Sequence, residues 1–234
     1  VIFFLKISLH FSICVYNVSM RIKNIYIWLA LISFILVGFG NEIKTQPQDF
    51  EFFDETGYYV RGEFWTFYQQ FDDALVIFGY PITNDYIDLE SGRHVQYFQK
   101  ARFELSDDPE NPIKLFNLGQ LQYTPEGGIP LPQVNNSSNC KAFPTGYHVC
   151  MGFLSFYDTH NGPLILGAPI SDAEFRDGIY VQYFENARLE FRTLLPPGQK
   201  IGLSDLGKIY FEKYGRSTYP DQYEWEPSIP LPQV

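Results

Sequence analysis

The chain has 234 residues, enough for one ordinary domain or two small ones, and 45% of them are hydrophobic, enough for a buried core. It holds 17 Lys and Arg against 27 Asp and Glu, and the first 40 positions contain three of the basic residues and none of the acidic ones. This acidic balance argues against nucleic-acid binding, which needs clustered Lys and Arg, and against docking on an anionic membrane surface.

The N-terminal 40 residues have the pattern of a targeting segment. Met20 precedes a short basic stretch and the apolar run IYIWLALISFILVGFG, which predicts a secretory signal peptide over residues 20–40. A membrane span is the alternative, but the run is shorter than the roughly 20 residues that a bilayer requires. We expect residues 1–19 to lie upstream of the true start, residues 41–51 to form a linker, and the protein to be extracellular or in the cell envelope.

One phrase occurs twice in the chain. Residues 94–105 read HVQYFQKARFEL and residues 180–191 read YVQYFENARLEF, and flanking landmarks keep their order in both places. The phrase IPLPQV also occurs twice, at 129–134 and at 229–234, and the chain stops on its second copy. The sequence leaves open whether a third unit or an anchor follows this linker phrase.

These landmarks predict two tandem repeats. Repeat 1 spans 52–128 and repeat 2 spans 142–228. A linker rich in Pro, Asn and Ser covers 129–141, and a linker-like end covers 229–234. Each unit is too small for an independent core, so we expect the two to pack together in a monomer.

Each repeat is predicted to contain the same elements in the same order. Aromatic residues at helical spacing indicate an amphipathic helix of about ten residues in each: Phe64, Phe67, Tyr68 and Phe71, and then Phe153, Phe156, Tyr157 and His160. The phrases FGYP and LGAP predict sharp Gly-Pro corners. The alternating phrase that follows predicts a β-hairpin and then a short strand. The predicted fold class is therefore α+β.

The hairpin turns are predicted at Gln99-Lys100 and Glu185-Asn186. A tight two-residue turn demands a left-handed backbone, which Asn186 tolerates better than Lys100 does.

Cysteine usage predicts one disulfide. Cys14 lies in the leader, whereas Cys140 and Cys150 form an even pair in a chain predicted to be exported. No His or further Cys lies at ligand spacing around them, which disfavours a metal site. The sequence leaves open whether repeat 1 replaces this brace with packing by Phe52, Phe53 or Arg61.

The landmarks resemble the LGFP-type repeat of bacterial exported and cell-wall-associated proteins. The helix-start pattern TG-x-x-x-V-x-G matches at Thr56, Gly57, Val60 and Gly62, and at Thr145, Gly146, Val149 and the displaced Gly152. The LG-x-P-[ST] corner matches at Leu166, Gly167, Pro169 and Ser171, and at Phe78, Gly79, Pro81 and Thr83. The chain is also similar to uncharacterised secreted bacterial repeat proteins with TGH-x-V, FGYPIS and VQYFERARFE phrases. The resemblance covers about residues 52–215 and implies a cell-wall association.

Paired carboxylates offer the first enzymatic hypothesis. Arg102 with Glu104, and Arg188 with Glu190, recur at matched positions, where they could bind carbohydrate, act as an acid–base pair, or tie the hairpin down. We favour the structural role because the pair occurs once in every repeat. No nucleophile motif surrounds the His residues, and the acidic stretch 107–111 is typical of a solvated turn, with calcium binding as the alternative. We therefore predict neither an enzyme nor a metal or other cofactor.

Tyrosines offer the main binding hypothesis, because their rings can stack on sugars while their hydroxyls hydrogen-bond. The predicted ligand contacts are Tyr80, Asn84, Tyr58 and Tyr147. The sequence thus predicts an exported, non-catalytic module that contacts cell-wall or surface polysaccharide. The alternatives are a structural or protein-binding envelope module and a carboxylate-based hydrolase.

Overall fold

A computed structural model describes residues 49–132 and 139–220, which belong to one compact unit, and its mixture of helices and strands is an α+β fold. The predicted signal peptide at 20–40, the residues before it and the linker-like end at 229–234 lie outside the described residues.

The first segment, residues 50–122, begins with a two-stranded ribbon, continues through two helices into a four-stranded sheet, and ends in a helix. Its elements are β1 (Phe50–Phe53), β2 (Tyr58–Arg61), α1 (Gly62–Tyr68), α2 (Ala74–Ile77), β3 (Tyr86–Ile87), β4 (His94–Tyr97), β5 (Arg102–Leu105), β6 (Ile113–Leu115) and α3 (Leu118–Gln122). The sheet order is β3-β4-β5-β6, and every neighbouring pair is antiparallel.

The second segment, residues 140–213, has the same order of elements. After β7 (Ile129–Pro130) come β8 (Cys140–Ala142), β9 (His148–Cys150), α4 (Met151–Thr159), α5 (Gly162–Ile165), β10 (Glu174–Arg176), β11 (Ile179–Tyr183), β12 (Arg188–Phe191), β13 (Ile201–Leu203), α6 (Leu206–Lys213) and the 3₁₀ turn Gly215–Ser217. Its sheet has the order β13-β12-β11-β10-β7.

Three boundaries differ from the expected linkers. Residues 50–51 belong to β1, residues 129–130 form β7 on the edge of the second sheet, and residues 140–141 belong to β8. These stretches are ordered because neighbouring strands satisfy their backbone hydrogen bonds, which composition alone does not reveal.

The predicted helices form around the expected aromatic residues but are shorter than expected. Phe64, Phe67 and Tyr68 of α1 are buried, whereas Phe71 lies beyond the end of the helix and still packs on the same core. In α4 the buried residues are Phe153, Phe156 and Tyr157.

The two repeated phrases form hairpins with the same register. Val95 faces Glu104 in the first hairpin, and Val181 faces Glu190 in the second. The turn chemistry that we expected is wrong, because neither Lys100 nor Asn186 is among the residues with positive φ.

The Gly-Pro corner explains why the hairpin turn needs no left-handed residue. The backbone N–H groups of Gln99 and Lys100 donate to the carbonyl oxygens of Tyr80 and Phe78, at 3.0 and 2.9 Å. The corner glycine, Gly79, has φ +73°, and a Cβ there would collide with the side chain of Gln99. The corner therefore fixes the conformation of the turn through these hydrogen bonds. The second segment repeats the same contacts.

The helix start also requires a left-handed residue in both segments. Gly62 has φ +57° and Met151 has φ +53°. Each follows the last residue of a strand, Arg61 or Cys150. The structural counterpart of Gly62 is therefore Met151, and the displaced match to Gly152 in the sequence is wrong.

Each segment places its last helix on the hairpin turn of the other. The N–H of Gln120 in α3 donates to the carbonyl of Glu185, and the N–H of Lys208 in α6 donates to the carbonyl of Gln99, both at 2.9 Å. Gly119 and Gly207 allow this approach, because a Cβ on either would overlap with backbone atoms of the facing turn. The two segments therefore pack together reciprocally.

Candidate functional site

The two predicted Arg–Glu pairs form on the central hairpins. Arg102 Nη2 lies 2.8 Å from Glu104 Oε1, and Arg188 Nη2 lies 2.7 Å from Glu190 Oε1. In both hairpins the paired residues alternate along one strand, so their side chains share a face of the sheet. The surroundings of the two pairs, however, differ.

Neighbouring side chains form hydrogen bonds with both members of the second pair. Ser204 Oγ donates to Glu190, Arg192 Nε donates to its other oxygen at 3.1 Å, and Arg188 also donates to the hydroxyl of Tyr183 at 3.1 Å. Burial alone would raise the pKa of Glu190, but the hydrogen bonds from Ser204 and Arg188 outweigh it and hold this pKa below its usual range. Glu190 is therefore held in place by three hydrogen-bond donors, Ser204, Arg188 and Arg192.

The first pair borders an open cleft. Phe116 occupies the position equivalent to Ser204, and the Arg102 guanidinium lies over its ring, 4.2 Å from the centroid. Glu104 directs its second oxygen toward Arg93, 3.8 Å away. The cleft has a volume of about 370 Å³. We call it the Arg102 cleft, and its main lining residues are Glu90, Arg93, Arg102, Glu104, Tyr210 and Tyr214.

The aromatic wall of the Arg102 cleft comes from the second segment. The ring centroid of Tyr210 lies 5.0 Å from that of Tyr214 and 5.5 Å from that of Phe116. Tyr214 is 48% exposed, so part of its ring is free to contact a ligand. The helix α6 supplies this wall because it is seated on the first hairpin.

Hydrogen bonds fix the polar floor of the cleft. Asp88 accepts from Thr218 Oγ1 at 2.6 Å, and from both the backbone N–H and the hydroxyl of Ser91 at 2.7 Å. Burial would raise the pKa of Asp88, but these hydrogen bonds outweigh it and lower the pKa. The carboxylate oxygens of Asp88 are therefore held in fixed positions at the floor of the cleft.

A second concave surface lies on the other side of α6. It has a volume of about 600 Å³ and is lined by Tyr58, Thr83, Lys208, Phe211, Arg216 and Tyr219, among others. We call it the Tyr58 groove. Its aromatic rings lie beside Arg216 and the ion pair of Lys208 with Glu212, whose Nζ and Oε1 atoms are 4.0 Å apart.

The four predicted ligand contacts do not meet in one site. Tyr58 lines the Tyr58 groove, whereas the hydroxyl of Tyr80 donates to Glu55 at 3.1 Å. Asn84 Oδ1 accepts the backbone N–H of Tyr59 at 3.0 Å, which ties the corner to β2. Tyr147 is half-buried, and its carbonyl accepts the N–H of Phe143 at 3.0 Å.

Sequence reasoning missed Tyr210 and Tyr214, which form the wall of the Arg102 cleft. Their i, i+4 spacing was a usable signal, with Tyr210 in α6 and Tyr214 directly after its end. Nothing in the local pattern, however, indicates that this helix packs on the other segment.

The buried carboxylate of Asp85, just before β3, joins β2 and β4 of the first segment through two partly exposed side chains. Arg61 donates to both carboxylate oxygens of Asp85, at 2.7 and 3.1 Å, and His94 Nε2 lies 2.6 Å from Asp85 Oδ2. Burial would raise the pKa of Asp85, but the hydrogen bonds from His94 and Arg61 outweigh it and keep the pKa below its usual range. This cluster fixes the start of α1.

The predicted disulfide is present in the structure. Cys140 and Cys150 face each other across β8 and β9, with their Sγ atoms 2.06 Å apart.

Within residues 49–132 and 139–220, no three His, Cys, Asp or Glu side chains are grouped so that they could hold a metal ion. Among the same residues, every helix is too short or too polar to cross a bilayer.

Comparisons with models of protein families, with curated proteins and with solved structures gave no match for this chain. The chemistry of its own residues therefore has to support any assignment of function.

Proposed function

We propose that this protein is a non-catalytic module of the cell envelope that binds wall or surface polysaccharide in the Arg102 cleft. One observation carries the proposal. The cleft combines an exposed aromatic wall, at Tyr210 and Tyr214, with charged and hydroxyl groups whose positions are fixed by ion pairs and hydrogen bonds. Sugars present both apolar ring faces and hydroxyls, so this combination suits them.

The disulfide and the leader support the proposed location in the cell envelope. A disulfide between Cys140 and Cys150 persists in oxidising compartments, which supports export. The apolar stretch after Met20 is typical of a secretion signal. The resemblance to LGFP-type repeats of cell-wall-associated proteins supports the same location.

The state of the carboxylates supports binding rather than hydrolysis. A glycosidase needs one carboxylic acid with a raised pKa as its proton donor. Glu190 and Asp88 both have pKa values below their usual range and accept several hydrogen bonds each. Glu104 is ion-paired with Arg102.

Retention of the full chain on purified envelope polysaccharide tests the proposal. We expect binding without turnover, and roughly twofold to tenfold weaker binding for Tyr214→Ala, because an aromatic contact contributes about 0.5–1.5 kcal/mol. The matched control is Tyr180→Ala, which removes a tyrosine that is 38% exposed on the second sheet and lies outside the cleft.

Two outcomes would overturn the proposal. Turnover that is abolished by Glu104→Gln or Glu190→Gln, with the fold intact, would make the protein a hydrolase. A complete lack of retention would leave a structural or protein-binding module of the envelope.

A further inference from the structure

The first two residues of the first IPLPQV phrase form the edge strand β7, and the pairing of this strand has a defined register. Ile129 of β7 faces Phe175 of β10, and Pro130 faces Glu174. The N–H of Leu131 then donates to the carbonyl of Ala173 at 3.0 Å. Proline lacks an N–H and suits the edge of a sheet. This phrase from the end of the first segment therefore completes the sheet of the second.

The chain reaches that edge by a fixed route. After α3 it passes Thr124 and Glu126, whose carbonyl oxygens accept hydrogen bonds from the Arg176 guanidinium at 2.7 and 3.1 Å. Arg176, the last residue of β10, is held by Glu174 at 2.7 Å. β10, the strand on which β7 pairs, thus supplies the side chain that contacts the incoming chain.

The counterpart of β10 in the first segment is β3. Tyr86 faces Val95 as Glu174 faces Val181, and Ile87 faces His94 as Phe175 faces Tyr180. Within residues 49–132 and 139–220, however, β3 is the outermost strand of its sheet. Its apolar side chain Ile87 is 54% exposed. An edge of this kind is a template for another strand.

The second segment sends its chain toward that edge by the equivalent route. After α6 the hydroxyl of Thr218 donates to Asp88 at 2.6 Å, and Asp88 occupies the position equivalent to Arg176. The ring of Tyr219 then packs against that of Tyr86, 4.8 Å between centroids. The chain at Tyr219 is therefore beside β3, and the second IPLPQV phrase begins ten residues later, at Ile229. Ten residues span at most about 33–36 Å, ample to turn back onto β3.

We propose that residues 229–234 form an antiparallel strand on β3 of the same chain. Ile229 faces Ile87, Pro230 faces Tyr86, and the N–H of Leu231 donates to the carbonyl of Asp85. Each segment then contributes both its last helix and the strand that follows to the other segment. The IPLPQV phrase is duplicated because both sheets need the same closing strand.

Cysteine cross-linking of the full chain tests this pairing. Directly opposed antiparallel residues have Cβ atoms about 4.5–5.5 Å apart, so an Ile87→Cys, Ile229→Cys chain should oxidise to an intramolecular disulfide at more than about 80% yield. The native analogue, Ile129→Cys with Phe175→Cys, is the positive control. Leu75→Cys with Ile229→Cys is the negative control, because Leu75 is exposed on α2.

Hydrogen exchange on the unaltered chain gives a second measurement that needs no substitution. We expect the amide of Leu231 to exchange at least tenfold more slowly than in an unfolded peptide. Cross-links between two chains would assign the edge to a second copy and overturn the proposal. Failure of the Ile87–Ile229 cross-link while the native analogue forms, or an unprotected Leu231 amide, would also overturn it.

Discussion

The two segments secure the same point of the fold by different chemistry. In the second, Cys150 at the end of β9 is joined to Cys140, which faces it on β8. In the first, Arg61 occupies the position of Cys150 and forms an ion pair with Asp85, whereas the counterpart of Asp85 is Ala173. Each segment therefore has a cross-link at the residue before its first helix, covalent in one and ionic in the other.

The Arg–Glu pairs differ in the same manner. Ser204 and Arg192 donate hydrogen bonds to Glu190 of the second pair. In the first pair Phe116 occupies the position of Ser204, and a cleft lies beside it. Two segments with the same order of elements therefore differ at this point, because only the pair of the first segment borders the Arg102 cleft. The four predictions below test how far the two segments are equivalent.

Substitutions of the two glycines at which the last helices pack on the facing hairpin turns should have the largest effects on stability. We expect Gly119→Ala and Gly207→Ala to lower the free energy of unfolding by about 3 kcal/mol or more each, because the added Cβ meets backbone that cannot rotate away. Gly152→Ala is the control, since its Cβ meets only the Ile201 side chain at 3.3 Å. Urea unfolding measures all three. A large loss for only one of the two glycines would contradict reciprocal packing.

Loss of the Cys140–Cys150 disulfide should have the second-largest effect on stability. We expect Cys140→Ser with Cys150→Ser, or reduction of the native chain, to lower stability by about 2–3 kcal/mol, the value for closing a loop of this length. The sequence separation is 10 residues. The thermal midpoint of the native chain should therefore fall on addition of reductant, whereas the midpoint of the double serine variant should not change. An unchanged midpoint in the reduced native chain would contradict this account.

The ionic brace should be sensitive to acid instead. Because the folded state lowers the pKa of Asp85, its stabilisation is present above the usual Asp pKa and is lost as the pH falls through and below that value. We expect Asp85→Asn to cost roughly 2 kcal/mol at pH 7 and to flatten the acid limb of the stability profile, with no change in the effect of reductant. Denaturant titrations between pH 2 and pH 7 check this. An acid limb as steep in the variant as in the native chain would argue against it.

Local patterns in the sequence predicted the α+β class, the aromatic helix faces and the hairpins, because each depends on residues close together in the chain. The disulfide also followed from a nearby pair of cysteines. The Arg102 cleft could not be predicted, because Tyr210 reaches Phe116 only after α6 packs on the other segment. Asn84, for which the sequence suggested a ligand contact, accepts the N–H of Tyr59, which lies 25 residues away in the chain.

The smallest expected effect concerns the left-handed residue at the helix start. Gly62 adopts φ +57° without a side-chain penalty, whereas Met151 adopts φ +53° with one. A left-handed conformation costs a side-chain-bearing residue about 1–2 kcal/mol, and glycine loses about 0.5–1 kcal/mol through its more flexible unfolded state. The difference predicts that Met151→Gly stabilises the protein by about 0.5–1 kcal/mol and that Gly62→Ala destabilises it by a similar amount. Met151 is 59% exposed, so its replacement removes little packing. Thermal unfolding of the two variants against the native chain measures both signs, and a destabilised Met151→Gly variant would mean that the methionine side chain makes a contribution that outweighs its backbone strain.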